Sequence, residues 1–95
     1  MGFPLRIYRI AQRSMEPAIR EGSYAIVLSG MRRIKDGDII VLKHPENGMS
    51  LVKRVKKIRG NALYVVGDNA DESEDSRKFG PVPMESVEGR VVCTI

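Results

Sequence analysis

The chain is 95 residues long, enough for one small domain and no more. A hydrophobic share of 42% with only five aromatic residues calls for a modest core of Val, Ile, Leu and Met and excludes a disordered chain. The net charge of +4 and a pI near 9.5 leave nucleic acid or an anionic surface open as partners, but no apolar run approaches the roughly 20 residues of a membrane-spanning helix.

Met1 to Ala11 is too short, too charged and too interrupted by Pro4 to be a signal peptide or an anchor, so the chain reads as soluble. Leu5 to Ile10 reads as a short strand or extended lead-in. Pro17 fixes its own φ and biases Glu16 towards extended conformations, which bends the chain after Arg13-Ser14-Met15. Any helix is a turn or two, best placed after Pro17. Ile19-Arg20-Glu21-Gly22 is a turn, followed by Tyr24 to Leu28 as a buried strand. Lys35-Asp36-Gly37-Asp38 is a strong turn signal ahead of Ile39 to Leu42, another short β run.

His44 to Gly48 is a polar hairpin loop that carries the lone histidine. Ser50 to Ile58 alternates, with Leu51, Lys53, Val55 and Lys57 on one face and Val52, Arg54, Lys56 and Ile58 on the other. Arg59-Gly60-Asn61 closes a tight turn into Ala62 to Val66, an apolar run that implies burial on both faces. Residues 67 to 83 form a loop long enough to be functional or specifically tied down. Val87 to Ile95 supplies the closing strand. With no repeat and no boundary, residues 1 to 95 make a single, mainly β domain, barrel-like or sandwich-like, with little helix.

Cys93 is the sole cysteine, which excludes an internal disulfide and a thiolate metal cluster, and its apolar strand makes a buried inert thiol the plainer reading. One histidine and one cysteine far apart give neither a metal site nor a Cys–His nucleophile pair, and no cofactor is implied. The densest cations, Arg32-Arg33-Ile34-Lys35 and Lys53-Arg54-Val55-Lys56-Lys57, read as solvated faces instead of a nucleic-acid stripe. On residues alone Ser14 is either a plain turn serine or a hydroxyl presented at the mouth of a groove. Lys53 is either a snorkelling lysine with its head in water or a buried one. A buried ammonium loses hydration and its pKa falls, so the neutral amine becomes available as a base for a serine hydroxyl.

Four stretches, weak singly and strong as an ordered set, favour the second reading of each. Ser14-Met15-Glu16-Pro17 resembles the nucleophile box of the signal peptidase I family, and Glu21-Gly22 has the spacing of that box's closing Gly-Asp. Lys35-Asp36-Gly37-Asp38-Ile39-Ile40-Val41 resembles the next turn and strand. Val52-Lys53-Arg54-Val55 is similar to the box carrying the lysine base, 39 positions after the serine. Gly67-Asp68-Asn69, Ser73 and Asp75-Ser76-Arg77 resemble the last box, followed by Gly80-Pro81-Val82-Pro83 and Gly89-Arg90. The set spans residues 14 to 90.

The resemblance implies a signal-peptidase-like or repressor-peptidase-like β catalytic core that uses a Ser–Lys dyad. Ser14 is then the nucleophile and Lys53 the base. The backbone N–H of Ser14 is one oxyanion donor, and Gln12 occupies the place of a second, where the family often has a hydroxyl or a backbone donor. Ser73 orients the lysine, and Met15 forms part of the substrate groove wall. Asp68, Asn69, Asp75 and Arg77 are structural support.

The absence of an anchor and the short gap before Gly67 are most similar to the short soluble proteases that remove the leader from nickel superoxide dismutase. The implied partner is a precursor protein with an N-terminal leader, either that dismutase precursor or a secretory preprotein, and nucleic acid is not expected. The compartment is cytoplasmic for a soluble maturation protease. It is the outer face of a membrane for a signal peptidase core without its anchor. A non-catalytic basic β module that binds nucleic acid or a protein is the alternative of another class.

Overall fold

The computed structural model describes residues 4–29 and 33–95. Met1 to Phe3 of the lead-in and Arg32 of the first cation group lie outside them. Among the described residues, seven strands build one antiparallel sheet: β1 (Leu5–Arg9), β2 (Tyr24–Ser29), β3 (Ile39–Lys43), β4 (Ser50–Arg59), β5 (Ala62–Val66), β6 (Val82–Pro83) and β7 (Val87–Thr94). The sheet curls into a half-barrel with the order β1-β2-β7-β3-β4-β5-β6. The closing strand β7 is therefore central, paired with β2 on one side and β3 on the other.

Strand β3 divides the interior. Because successive side chains point to opposite faces, its Ile-Ile-Val-Leu run serves two cores. Ile40 and Leu42 join Leu51, Val55, Leu63, Val65, Val82 and Val87 on one face. Val41 joins Ile10, Met15, Ile19, Ala25 and Val27 on the other. Each Val, Leu, Ile or Met side chain among these, once fully buried, contributes about 1.5–3 kcal/mol relative to exposure.

Four expectations are corrected by this packing. Strand β2 buries only Ala25 and Val27, and β5 only Leu63 and Val65, because each has one covered face. Lys57 does not share the buried face of Leu51, Lys53 and Val55. A bulge between Val55 and Lys57 shifts the register, so Lys57 is exposed and Ile58 packs against the core instead. Cys93 is exposed, since it pairs with Ile26 on the face of β1–β2–β7 that no element among the described residues covers.

No helix follows Pro17. That stretch is a run of turns, with one Met15 C=O accepting from Ile19 N–H at 2.9 Å, and Pro17 has no N–H with which to propagate it. The helical residues lie later, inside the 67–83 loop and just beyond it. They are a 3-10 turn at Ala70–Glu72, a four-residue α1 at Ser76–Phe79 and a second 3-10 turn at Met84–Ser86.

Candidate active site

Ser14 sits in a loop that is closed at its base. Ile10 N–H donates to Ser23 C=O at 2.9 Å and Gly22 N–H to Ile10 C=O at 2.7 Å, which pinches residues 10 to 23 together. Ile10, Met15 and Ile19 turn inward and anchor the loop on the second core. Met15, only 1% exposed, is thus a core residue as well as part of a cleft floor. The Glu16 carboxylate accepts from Arg13 Nε and from Glu21 N–H and braces the outer side. Ser14 is 3% exposed. Among the described residues its N–H donates no hydrogen bond, so that dipole remains available beside the hydroxyl.

Lys53 lies on β4 between Leu51 and Val55, facing the first core, and is 1% exposed. Its Nζ donates to Ser73 Oγ at 3.1 Å. Ser73 Oγ in turn donates to Asp75 Oδ2 at 2.6 Å. Asp75 is buried and multiply satisfied. It accepts from Gly67 N–H at 2.8 Å, from Arg77 N–H at 3.1 Å as the cap of α1, and from Arg77 Nη2 at 2.5 Å. Burial drives the Asp75 carboxyl upward, but the hydrogen bonds from Arg77, Ser73 and the two backbone N–H groups outweigh it and hold the carboxylate well below its ordinary range.

Burial pushes Lys53 the other way, below the usual lysine value. Asp75 and Glu74 oppose that shift, and Arg77 adds to it. The Arg77 guanidinium matters here. By pairing with Asp75 it offsets a deeply buried anion that favours the ammonium form of Lys53.

Gly67 joins the two halves of the site. A Cβ there would fall 2.2 Å from Ser73 Oγ and 2.7 Å from the Ser14 carbonyl oxygen, so only glycine lets the Ser73 segment approach the serine loop. Asn69 fastens the same junction: its N–H donates to Ser14 C=O at 2.7 Å and its Nδ2 to Arg13 C=O at 3.1 Å. Asp68 faces away and takes a bidentate pair from Arg54, with both distances 2.8 Å.

Two cavities meet at the site. A largely apolar cleft of about 140 Å³ is lined by Tyr8, Ile10, Gln12, Ser14, Met15 and Val52 among others. A polar cavity of similar volume, about 140 Å³, holds Lys53, His44, Asn47 and Glu74, and the two share Gln12 and Met49. Gln12 is exposed, between the cavities.

His44 is a residue that reasoning from the sequence placed in a polar turn, whereas it is buried. The signal was present: Ile40, Leu42 and His44 continue one period-2 face of β3 into the core. Among the described residues no group of three or more His, Cys, Asp or Glu is placed to hold a metal ion, and no helix is long and apolar enough to cross a membrane.

Comparison with known proteins covers nearly all of the fold just described. The family described as Peptidase S24-like matches residues 3–92. The chain is 36% identical over 56 residues to mitochondrial inner membrane protease subunit 1 of Xenopus tropicalis, which covers 59% of this chain and 32% of that protein. It is 33% identical over 78 residues to the HTH-type transcriptional regulator PrtR of Pseudomonas aeruginosa, covering 82% of this chain and 29% of the regulator. The matched part thus spans about a third of the length of each relative.

Proposed function

The chain belongs to the Peptidase S24-like family, and from that premise we propose that it is a serine endopeptidase with Ser14 as nucleophile and Lys53 as general base. The observation that carries this reading is the burial of Lys53 together with its single-file bonds to Ser73 and Asp75. A neutral amine that donates one N–H to Ser73 has its lone pair free for another proton. Desolvation favours that neutral form, as a lysine base requires.

In this structure Lys53 Nζ is bonded to Ser73 Oγ, with no hydrogen bond to Ser14 Oγ, so the proposed steps require the two to close to hydrogen-bond distance when substrate binds. Lys53 Nζ takes the Ser14 proton as Oγ attacks the scissile carbonyl, and the developing oxyanion meets the Ser14 N–H, with Gln12 as the side-chain candidate for a second donor. Collapse passes the proton from Lys53 to the leaving amine and leaves an acyl-serine. Lys53 then deprotonates a water, which attacks the ester and restores the Ser14 hydroxyl. Ser73 orients the amine, and Asp75, Arg77, Asp68 and Asn69 hold the segments in place. The apolar cleft beside Met15 suits an extended peptide with small side chains.

The substrate proposed is a precursor with an N-terminal leader, foremost a nickel superoxide dismutase precursor cut in the cytoplasm. Similarity to an inner membrane protease subunit favours a second substrate, a membrane-directed preprotein cut by this core as part of a larger protease. Similarity to a transcriptional regulator over 82% of the chain favours a third reading, the peptidase-like part of a regulator, in which a partner replaces a processed leader.

Purified protein mixed with each precursor, with new N-termini read by mass spectrometry, separates these. Cutting of the dismutase leader alone, lost in Ser14→Ala and Lys53→Ala, is the expected result. Preference for the preprotein moves the assignment to the second reading. Cleavage that survives both substitutions contradicts the dyad. No cleavage, with salt-sensitive DNA or protein binding that survives Ser14→Ala, supports a non-catalytic role.

A further inference from the structure

The 3-10 turn at Ala70–Glu72 buries none of its residues, yet it leads directly into Ser73, the hydrogen-bond partner of Lys53. A segment so thinly packed needs another restraint if Ser73 is to stay in register with the lysine. One is present at the lone histidine. His44 Nε2 lies 2.5 Å from Glu74 Oε1, and His44 Nδ1 accepts from Glu46 N–H at 3.0 Å. Since Nδ1 accepts, the ring proton sits on Nε2 and is donated to Glu74. The ring also meets Phe79 edge to face at 5.1 Å, which fixes its plane.

The histidine is tied in turn to the β3–β4 hairpin. Its N–H donates to Met49 C=O at 2.7 Å, and its C=O accepts from Gly48 N–H at 3.0 Å. Met49 lines both cavities.

We propose that His44 and Glu74 are positioning residues whose hydrogen bond clamps hairpin 44–49 to the segment carrying Ser73, so that Lys53 Nζ is held in line with Ser73 Oγ. The proposal rests on the Ser–Lys reading. Neither residue touches the reacting atoms; the hydrogen bond between them acts through Ser73. The charged groups around the clamp are Glu46 and Lys43 on the hairpin side, Lys78 at 3.7 Å from Glu74, and Lys53, Asp75 and Arg77 within the network. Glu74 has a second effect, because its negative charge favours the ammonium form of Lys53.

Four variants test the clamp: His44→Phe, which keeps the ring contact, His44→Gln, which keeps a donor, Glu74→Ala and Glu74→Gln. With a precursor that the parent cuts, His44→Phe and Glu74→Ala are expected to lower kcat about tenfold through misplacement alone. Their KM should stay within about twofold, because no ground-state contact is removed. His44→Gln and Glu74→Gln recover most of kcat. In Glu74→Gln the acid limb of the kcat profile moves to lower pH, which a merely structural role would not produce.

A readout free of substrate accompanies this. In 13C-lysine spectra the contact between Lys53 Hε and Ser73 Hβ is present in the parent and His44→Gln and lost in His44→Phe, and Glu74→Gln lowers the Lys53 midpoint. Unchanged kcat in His44→Phe and Glu74→Ala, or an unmoved contact and midpoint, overturns the clamp. Retention of cleavage in Ser14→Ala or Lys53→Ala overturns the dyad instead, and the spectra still decide the clamp.

Discussion

Lys53 and Arg54 are consecutive cations on one strand, and the sheet sends them to opposite environments. Arg54 points outward, remains partly exposed and is bound by Asp68 at 2.8 Å through two nitrogens and by Gly37 C=O at 2.9 Å. The Asp68 hydrogen bond raises its pKa further, so its charge is permanent. Lys53 points inward between Leu51 and Val55, and burial lowers its pKa while a neutral hydroxyl is its hydrogen-bond partner. A shift of one residue in register exchanges these fates. The same charge type is a fastener on one face and, in the proposed dyad, a proton acceptor on the other.

The sharpest way to break the contrast is to remove the chemistry from the inner cation. Lys53→Met or Ser14→Ala is expected to lower kcat on a cleaved precursor by about 10⁴-fold, measured in single-turnover assays. Lys53→Met should nevertheless raise the melting temperature at pH 7. The folded pKa of Lys53 lies below its unfolded value, so folding at neutral pH disfavours the ammonium. The stability gained by the substitution is on the order of 1–4 kcal/mol at most. It is present below the unfolded lysine value, about 10.4, and shrinks as pH rises towards it.

Asp75 gives the opposite slope. Its folded pKa is depressed, so its contribution is complete above the unfolded value near pH 4 and is lost as pH falls towards the folded one. Asp75→Asn is expected to cost about 3 kcal/mol in urea unfolding at pH 7, with a flatter acid limb of stability. Ser73→Ala removes the orienting hydroxyl but no charge, and about a tenfold loss of kcat is expected, with a stability cost of about 1–3 kcal/mol because Lys53 and Asp75 each lose a buried partner. On the outer face, Asp68→Asn should cost about 0.2–1 kcal/mol, less at high salt, and leave cleavage within about twofold.

Much of this was legible in the sequence, and the reasons for the rest are physical. The alternation of Leu51, Lys53 and Val55 placed the lysine on an apolar face, and the turns at 35–38 and 59–61 bounded the strands. The alternation failed at the bulge after Val55, because an extra residue lets Lys56 and Lys57 both reach water, and no local signal marks it. His44 could have been found by extending the period of Ile40 and Leu42. The clamps of Asn69 on Arg13 and Ser14, and the close approach at Gly67, join residues more than fifty positions apart, and local pattern carries no information about them. The apolar strand end around Cys93 carries no sign of whether another element covers it, and its face of the sheet is open.

The most direct test of the account is the titration of Lys53 itself in the intact protein, read from its 13Cε shift and assigned with Lys53→Arg. A midpoint well below the ordinary lysine value of about 10.4, rising when Arg77 is replaced by Gln, is the predicted result. A Lys53 that titrates with the surface lysines, unmoved by Arg77→Gln, would contradict the claim that this fold makes a base of it.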